Sequence, residues 1–221
     1  MMKKLRLYSK IKTFLIKYKI VILIAVLGLV SRLYGVENKE LWYDEVLDIH
    51  ASLMSVGEIL IKVPIAFLHY LIVHFFSLIS TNIIFLRLPS ILFGVGSVVL
   101  LYFTVKKISD EKVALFTAFL MALSPMAIEF SQQILHYSYF VFFTIATLYF
   151  YFDLCFEKQL KLKTILLFLV FTFCNITSHL SAVLIILIQI IFFIVYASAH
   201  PKDLFKKTKL FLKYKINIVA V

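Results

Sequence analysis

Long apolar runs separated by short charged clusters dominate the chain. The runs lie near residues 20–36, 64–80, 83–105, 113–128, 134–152, 164–176 and 180–197. Several approach the length of roughly 20 residues that a helix needs to cross a bilayer. The pattern predicts an all-α fold, a polytopic membrane helix bundle forming a single membrane domain over 1–221. Proline and glycine are scarce (4 and 5 residues), and no linker, internal repeat or low-complexity segment interrupts the pattern.

The charged clusters set the expected topology. Basic residues gather before residue 20, at Lys106, Lys107 and Lys112, at Lys158, Lys161 and Lys163, and from Lys202 to Lys215. The positive-inside rule puts all of these clusters, and with them the N-terminus, in the cytoplasm. An even number of crossings must then separate the N-terminus from Lys106, yet three apolar runs lie between them. The run 64–80, PIAFLHYLIVHFFSLIS, is the one expected not to span. It carries His69 and His74, and it opens with Pro64, a residue suited to a first helical turn. Such a segment can lie in the interface plane. The alternative drops 20–36 instead and puts the following loop in the cytoplasm. About six spans result, near 20–36, 84–105, 113–128, 135–152, 164–176 and 180–197, with an outer loop over 37–83 that holds in-plane helices. Shorter outer turns fall around Glu129–Gln133 and Asn175–His179.

The N-terminal run reads as an uncleaved first span, because SRLYGVENKE offers no small-residue cleavage site after it. The stretch KDLFKKTKLFLKYK is expected on the inner surface near anionic lipid. INIVAV reads as the start of a further span, so the chain reads as the N-terminal portion of something longer.

Composition narrows the class. Hydrophobic residues make up 62% and charged residues only 16%, which excludes an ordinary soluble domain. The net charge of +11 does not point to nucleic acid, because the Lys and Arg sit between apolar runs and form no basic face with interleaved aromatics. Cys155 and Cys174 fall at opposite ends of neighbouring runs, too far apart for a bridge. No metal-ligand spacing is present.

Candidate chemistry centres on ELWYDEVLDIHASL, residues 40–53. Six of the chain's 12 acids lie between Glu37 and Glu58. Asp44 and Glu45 follow Trp42 and Tyr43, an aromatic pair suited to the headgroup belt. Asp48 stands one helical turn after Asp44, with His50 nearby. A carboxylate at the membrane boundary can take a proton from a hydroxyl or hold a divalent cation; acids are also common filler of an outer loop. Arg87, at the start of a span, can meet a lipid phosphate, pair with the loop acids or snorkel to headgroups. Lys62 is a phosphate ligand or an interfacial anchor. In SPMAIEFSQQILHYSY, Glu129, Gln133 and His136 cluster where two spans meet, which is costly unless they are paired or open to a cavity. His179 tops a span in NITSHL, whose Asn175–Thr177 glycosylation pattern sits in a tight turn hugging the membrane. No Ser/His/Asp order, glycine-rich phosphate loop or HExxH motif is present, which argues against a soluble nucleotide-sugar transferase. The near absence of paired mid-span charges argues against a transporter.

In order, SRLYG, LWYDE, RLPSILFGVGSVVLLYFTVKK, ALFTAFLMALSPMAIEFSQQILHYSY and TSHLSAVLI resemble the GT-C membrane glycosyltransferases. Within them, the likeness is to the dolichyl-phosphate-mannose-protein mannosyltransferase, aminoarabinose transferase and Rgt-like set, over about 20–200. The resemblance implies a sugar donor carried on polyprenyl phosphate, an acceptor arriving from the outer face, and glycosylation of the cell envelope. It implies a catalytic carboxylate at Asp44 with Glu45 its neighbour, in-plane helices in the first outer loop, Lys62 near the lipid phosphate, and His179 at the third outer turn. It requires no cofactor and leaves a divalent cation open. The chain departs from the family with Val63-Pro64-Ile65 in place of His-Pro-Pro. It also has Gln133 and Leu135 in place of the Glu and Arg of Ser-Gln-Glu-Ala-Arg-x-Tyr, with Glu129 and His136 as the available substitutes. Family members are longer, so the alternative is a truncated or split non-catalytic subunit that binds membrane lipid carrier or a second chain supplying further spans.

Overall fold

The computed structural model describes residues 16–157 and 159–202. Most of the N-terminal basic cluster, Lys158, nearly all of the lysine-rich tail and the INIVAV run lie outside the described residues. Among the described residues all regular structure is helical. It comprises α1 (Lys19–Leu33), a short 3-10 turn (Val36–Asn38), α2 (Tyr43–Ser52), α3 (Val56–Lys62), α4 (Phe67–Ser77), α5 (Ile83–Ile108), α6 (Glu111–Leu123), α7 (Pro125–Ser131), α8 (Tyr137–Phe156), α9 (Leu162–Ile176) and α10 (Ala182–Ala199).

Among the described residues four helices are long and apolar enough to cross a membrane: Lys19–Asn38, which runs α1 into the 3-10 turn, and α5, α8 and α10. The helices α6 and α7 make a fifth span only as a broken pair, bent by 57°. α9 lies along α8 but has 15 residues, fewer than the roughly 17–25 of an ordinary span. The expected six spans therefore become four long helices, one broken span and one short apolar helix. The run 64–80 forms only the 11-residue α4, so it does not cross.

Local chemistry accounts for the boundaries. Gly35 ends the first span with φ of 71°, a left-handed turn that a side chain would strain. Asn82 caps α5 by accepting from the Ile84 N–H at 2.9 Å, and Asp110 caps α6 by accepting from the Val113 N–H at 2.9 Å. Ser124 and Pro125 start a new helix inside an apolar run, with proline at the first helical position.

The first helices pack through small residues. Ala114, Ala118 and Ala122 form a buried stripe on α6, four residues apart, against Val21 and Ile24 of α1 and Val98 and Tyr102 of α5. Small residues allow helix backbones to approach in a membrane, where no hydrophobic effect drives helices together. One end of the bundle carries the basic residues. There Lys106 meets Glu111 at 3.0 Å, and Lys107 pairs with Asp153 while lying over the Tyr149 ring. The other end gathers Arg32, Glu45, Arg87 and Ser131, with α2, α3 and α4 arranged over it.

Candidate active site at the acidic end of the bundle

The helix α2 turns its acids inward. Its buried residues are Glu45, Asp48 and Ser52, spaced along one face. Trp42 is 62% exposed and Tyr43 75%, and Val46 and Leu47 also face out. An isolated water-soluble helix would do the reverse. Inward acids need inward partners, and two arginine- and histidine-based groups supply them.

Glu45 and Arg87 form the first group, both essentially inaccessible. The Arg87 Nε and Nη2 donate to the two Glu45 carboxylate oxygens at 3.2 Å each, a bidentate fork. Nη1 donates to the carbonyls of Val36 at 2.8 Å and Lys39 at 3.2 Å, and Nη2 also donates to that of Glu40 at 3.3 Å. Five guanidinium hydrogens thus meet five acceptors. Glu45 in turn accepts from the backbone N–H of Ile134 at 2.8 Å and of Trp42 at 3.2 Å. Of the partners the sequence leaves open for Arg87, the structure takes the loop acid, and no donor remains for a lipid phosphate. Neither carboxylate oxygen of Glu45 is free, which suits it to holding the loop rather than to taking a proton.

Arg32 makes a second buried clamp. Its Nε donates to the Ser131 hydroxyl at 3.1 Å, and its terminal nitrogens donate to the carbonyls of Gly28, Ala122 and Met121. The last two belong to the end of α6, where the break at Ser124 leaves carbonyls without helical partners. The guanidinium supplies those partners and sits at the negative pole of the α6 dipole. Gly94 makes room for it: a Cβ there would lie 2.8 Å from the Arg32 Nε and 2.1 Å from the Ser131 hydroxyl.

Asp48 anchors the other of the two partner groups. Its Oδ1 accepts from the Tyr70 hydroxyl at 3.0 Å. Its Oδ2 lies 3.1 Å from the His69 Nε2, though not aligned as a hydrogen bond, and 3.9 Å from the His136 Nδ1. Burial works against the charge of Asp48, but the imidazoles of His136 and His69 and the Tyr70 hydroxyl outweigh it and hold the carboxyl down at about 2. His69 is wholly buried, and desolvation pushes its imidazole toward the neutral form despite Asp48. Burial and the Asp48 charge push the Tyr70 hydroxyl up. His136 stacks on His179, with centroids 4.9 Å apart and planes at 27°. Burial first, then the neighbouring His136, lowers the His179 pKa.

The remaining expected site residues divide. Asp44 is exposed on the first turn of α2 and has no hydrogen bond or ion pair among the described residues. It is therefore a free carboxylate next to a fixed one. Glu129 pairs with Lys39 and accepts from the Gln133 side-chain amide at 3.0 Å, so those two form a polar strut rather than joining Asp48. Lys62 pairs with Glu58 at 2.8 Å on the exposed end of α3 and touches neither carboxylate group of α2. Sequence reasoning missed Arg32, His69, Tyr70 and Gln132 as site residues and gave Asp48 no role. Gln132 donates to the carbonyls of Arg32 at 3.1 Å and Tyr34 at 2.9 Å, tying the 131–136 turn to the end of the first span. For Arg32, His69 and Tyr70 the available signal was polarity inside an apolar run, whereas Gln132 and Asp48 lie outside the runs and carried no such signal. Among the described residues no group of three or more His, Cys, Asp and Glu is arranged to hold a metal ion.

Neither a curated protein nor a solved structure matches the chain. The pattern of the dolichyl-phosphate-mannose-protein mannosyltransferase family matches residues 62–221. Arg87, Glu129, Gln133, His136 and His179 fall inside that segment, whereas Asp44, Glu45 and Asp48 precede it; Glu45 is joined to it through Arg87 and Ile134, and Asp48 faces its histidines. The matched segment covers well over half of an all-helical membrane bundle, and the chain belongs to the dolichyl-phosphate-mannose-protein mannosyltransferase family.

Proposed function

We propose that this integral membrane protein moves a sugar from a polyprenyl-phosphate donor to a hydroxyl acceptor at the outer membrane face. Family membership supports a membrane glycosyltransferase with a lipid-linked donor. The observation that carries the reading is the contrast within the acidic pair. Glu45 is locked by Arg87 and two backbone N–H groups, while Asp44 beside it stands free at an exposed aromatic rim.

In this reading α2 lies in the interface plane. Trp42, Tyr43, Val46 and Leu47 enter the headgroup layer, and the acids face the protein. The acceptor hydroxyl attacks the anomeric carbon. A new C–O bond forms as the bond to phosphate oxygen breaks, and its electron pair leaves on polyprenyl phosphate. Asp44 takes the acceptor proton and passes it to solvent. Glu45 and Arg87 are positioning residues, because every polar atom that could touch substrate is already engaged.

The test is sugar transfer from radiolabelled polyprenyl-phosphate sugars in membranes holding the native chain or Asp44→Asn. Loss of a positioned base costs about 10²–10⁴-fold in rate. Equal turnover in the two would remove Asp44 from the mechanism, and no turnover by the native chain with any such donor would overturn the transferase reading.

A further inference from the structure

At the end of the bundle away from the acids, we propose that the crease between α1 and α5 holds one acyl chain of an anionic phospholipid, with Lys17 and Lys19 meeting its phosphate. The site is separate from the acidic end and stands whether or not the chain transfers sugar.

The crease is a groove of about 240 Å³ with an apolar surface. α6 fills the other side of the same helix pair, where Ala114, Ala118 and Ala122 pack on Val21, Ile24, Val98 and Tyr102. On the groove side the α1 wall includes Ala25, a side chain of one methyl, and Val26, which is 50% exposed. The groove therefore opens sideways into the bilayer.

Length and width select the occupant. Tyr18 and Phe103 meet edge to face at 5.7 Å at the basic end, and Leu29 and Val95 line the other end. The rise from 18 to 29 along α1 is about 16 Å, and from 95 to 103 along α5 about 12 Å. One leaflet contributes roughly 15 Å of hydrocarbon. The groove thus runs the depth of one leaflet and stops about 12 Å along α5 from Arg87. One turn of a helix takes up roughly 400–600 Å³. A helix of a second copy or of a partner does not fit, which leaves a single hydrocarbon chain.

Charge selects the headgroup. Lys17 and Lys19 flank Tyr18 at the groove mouth, and both are exposed. The Lys17 ammonium lies 5.2 Å from the centre of the Tyr18 ring, and Lys19 stands one helical turn before Ile22 on the groove wall. Neither makes a hydrogen bond or an ion pair among the described residues. Glu111 lies within range of the Lys17 charge but is already bonded to Lys106 and Tyr102, and Lys107 is held by Asp153. Two ammoniums at the edge of an apolar slot match a phosphate at the end of an acyl chain, and Tyr18 sits where an interfacial aromatic belongs.

The experiment places the full chain in nanodiscs with phosphatidylglycerol or phosphatidylcholine that carries a photoactivatable diazirine in one acyl chain, and maps the cross-linked peptides by mass spectrometry. The expected result is labelling by phosphatidylglycerol that concentrates on 18–29 and 95–103 and is competed by unlabelled phosphatidylglycerol. α10 is the internal reference, since its surface is apolar and largely exposed. A lysine near an anionic headgroup contributes roughly fivefold in binding. Lys17→Gln and Lys19→Gln should each lower the preference over phosphatidylcholine by that factor. Ala25→Trp should block labelling of 95–103, and Leu23→Trp, at a position 68% exposed, should not. If Ala25→Trp fails to fold, the two exposed glutamine variants still decide the matter. Equal groove labelling by the two phospholipids, an unchanged preference in both glutamine variants, or groove labelling no higher than that of α10 would overturn the proposal. Competition by polyprenyl phosphate but not by phosphatidylglycerol would overturn it too and assign the groove to the tail of a sugar donor. Failure here leaves the transferase reading in place, and an inactive transfer assay leaves the lipid site in place.

Discussion

At the residue scale, adjacent acids with one charge type face opposite environments, and that difference sets their expected roles. Glu45→Gln keeps the shape but leaves the buried Arg87 guanidinium without its carboxylate. Breaking a buried ion pair from one side costs about 3–5 kcal/mol. Asp44→Asn, at an exposed site without partners, should change stability by no more than about 0.5 kcal/mol while removing transfer. Denaturant unfolding in detergent checks both, and equal stability losses would mean that the two carboxylates are not differently employed. Asp48 and His69 add a pH dependence. His69 is held neutral below its ordinary 6.5 by burial, so the unfolded chain binds a proton there that the folded one refuses. Stability should therefore fall as pH drops below 6.5. Asp48 sits at about 2 against an ordinary 3.8, so its contribution is whole above that ordinary value and is lost between the two. Both effects have the same sign. A melting temperature that declines from pH 7 to 5, with a shallower decline in His69→Gln, is the expected result; a rise on acidification would contradict the burial of a neutral His69.

At the element scale, the break between α6 and α7 depends on groups from three helices. The freed carbonyls of Met121 and Ala122 are met by Arg32, and the Arg32–Ser131 contact passes over Gly94. Gly94→Ala has no room to relax against that contact, and overpacking of this kind costs about 1–3 kcal/mol. Gly57→Ala, whose Cβ meets nothing within 4 Å, is the matched control and should not destabilise. Equal losses in both would mean that the Arg32 clamp tolerates displacement. These elements also mark where the sequence is readable. Apolar runs reveal α1, α5, α8 and α10 because a spanning helix is a local property of about 20 residues. The Ser124-Pro125 start was visible too, but inside one continuous apolar run it reads as part of a span from 113 to 128. The inward face of α2 is different. Periodicity groups Asp44 with Asp48, four apart, whereas the fold buries Glu45 with Asp48, three apart. Both pairings suit a helix. What decides between them is Arg87, 42 residues on, and the Ile134 N–H, 89 residues on, and no local pattern encodes contacts at that range.

At the scale of the whole molecule, the two ends of the bundle have opposite chemistry. Lys106, Lys107, Glu111 and Asp153 meet at one end. At the other, α2 to α4 cover the bundle with an apolar rim that includes Trp42, Tyr43, Ile61 and Phe75. In the proposed function the second end meets the lipid-linked donor, and the positive-inside rule would keep the first end in the cytoplasm. Parity adds that, with α4 too short to cross, α1 and α5 leave Lys19 and Lys106 on one side of the membrane, without saying which side. Accessibility tests it without reference to activity. With Cys155→Ala and Cys174→Ala as background, Asp44→Cys and Ile108→Cys place single thiols at opposite ends. A membrane-impermeant maleimide added to intact cells should label residue 44 at once and residue 108 only after permeabilisation. The reverse pattern would put the acidic end in the cytoplasm. Asp44 would then face the wrong compartment for an outer-face acceptor, although the Arg87–Glu45 clamp and the family membership would both stand. Labelling of both positions in intact cells would mean that α5 does not cross, against its 26 apolar-rich residues.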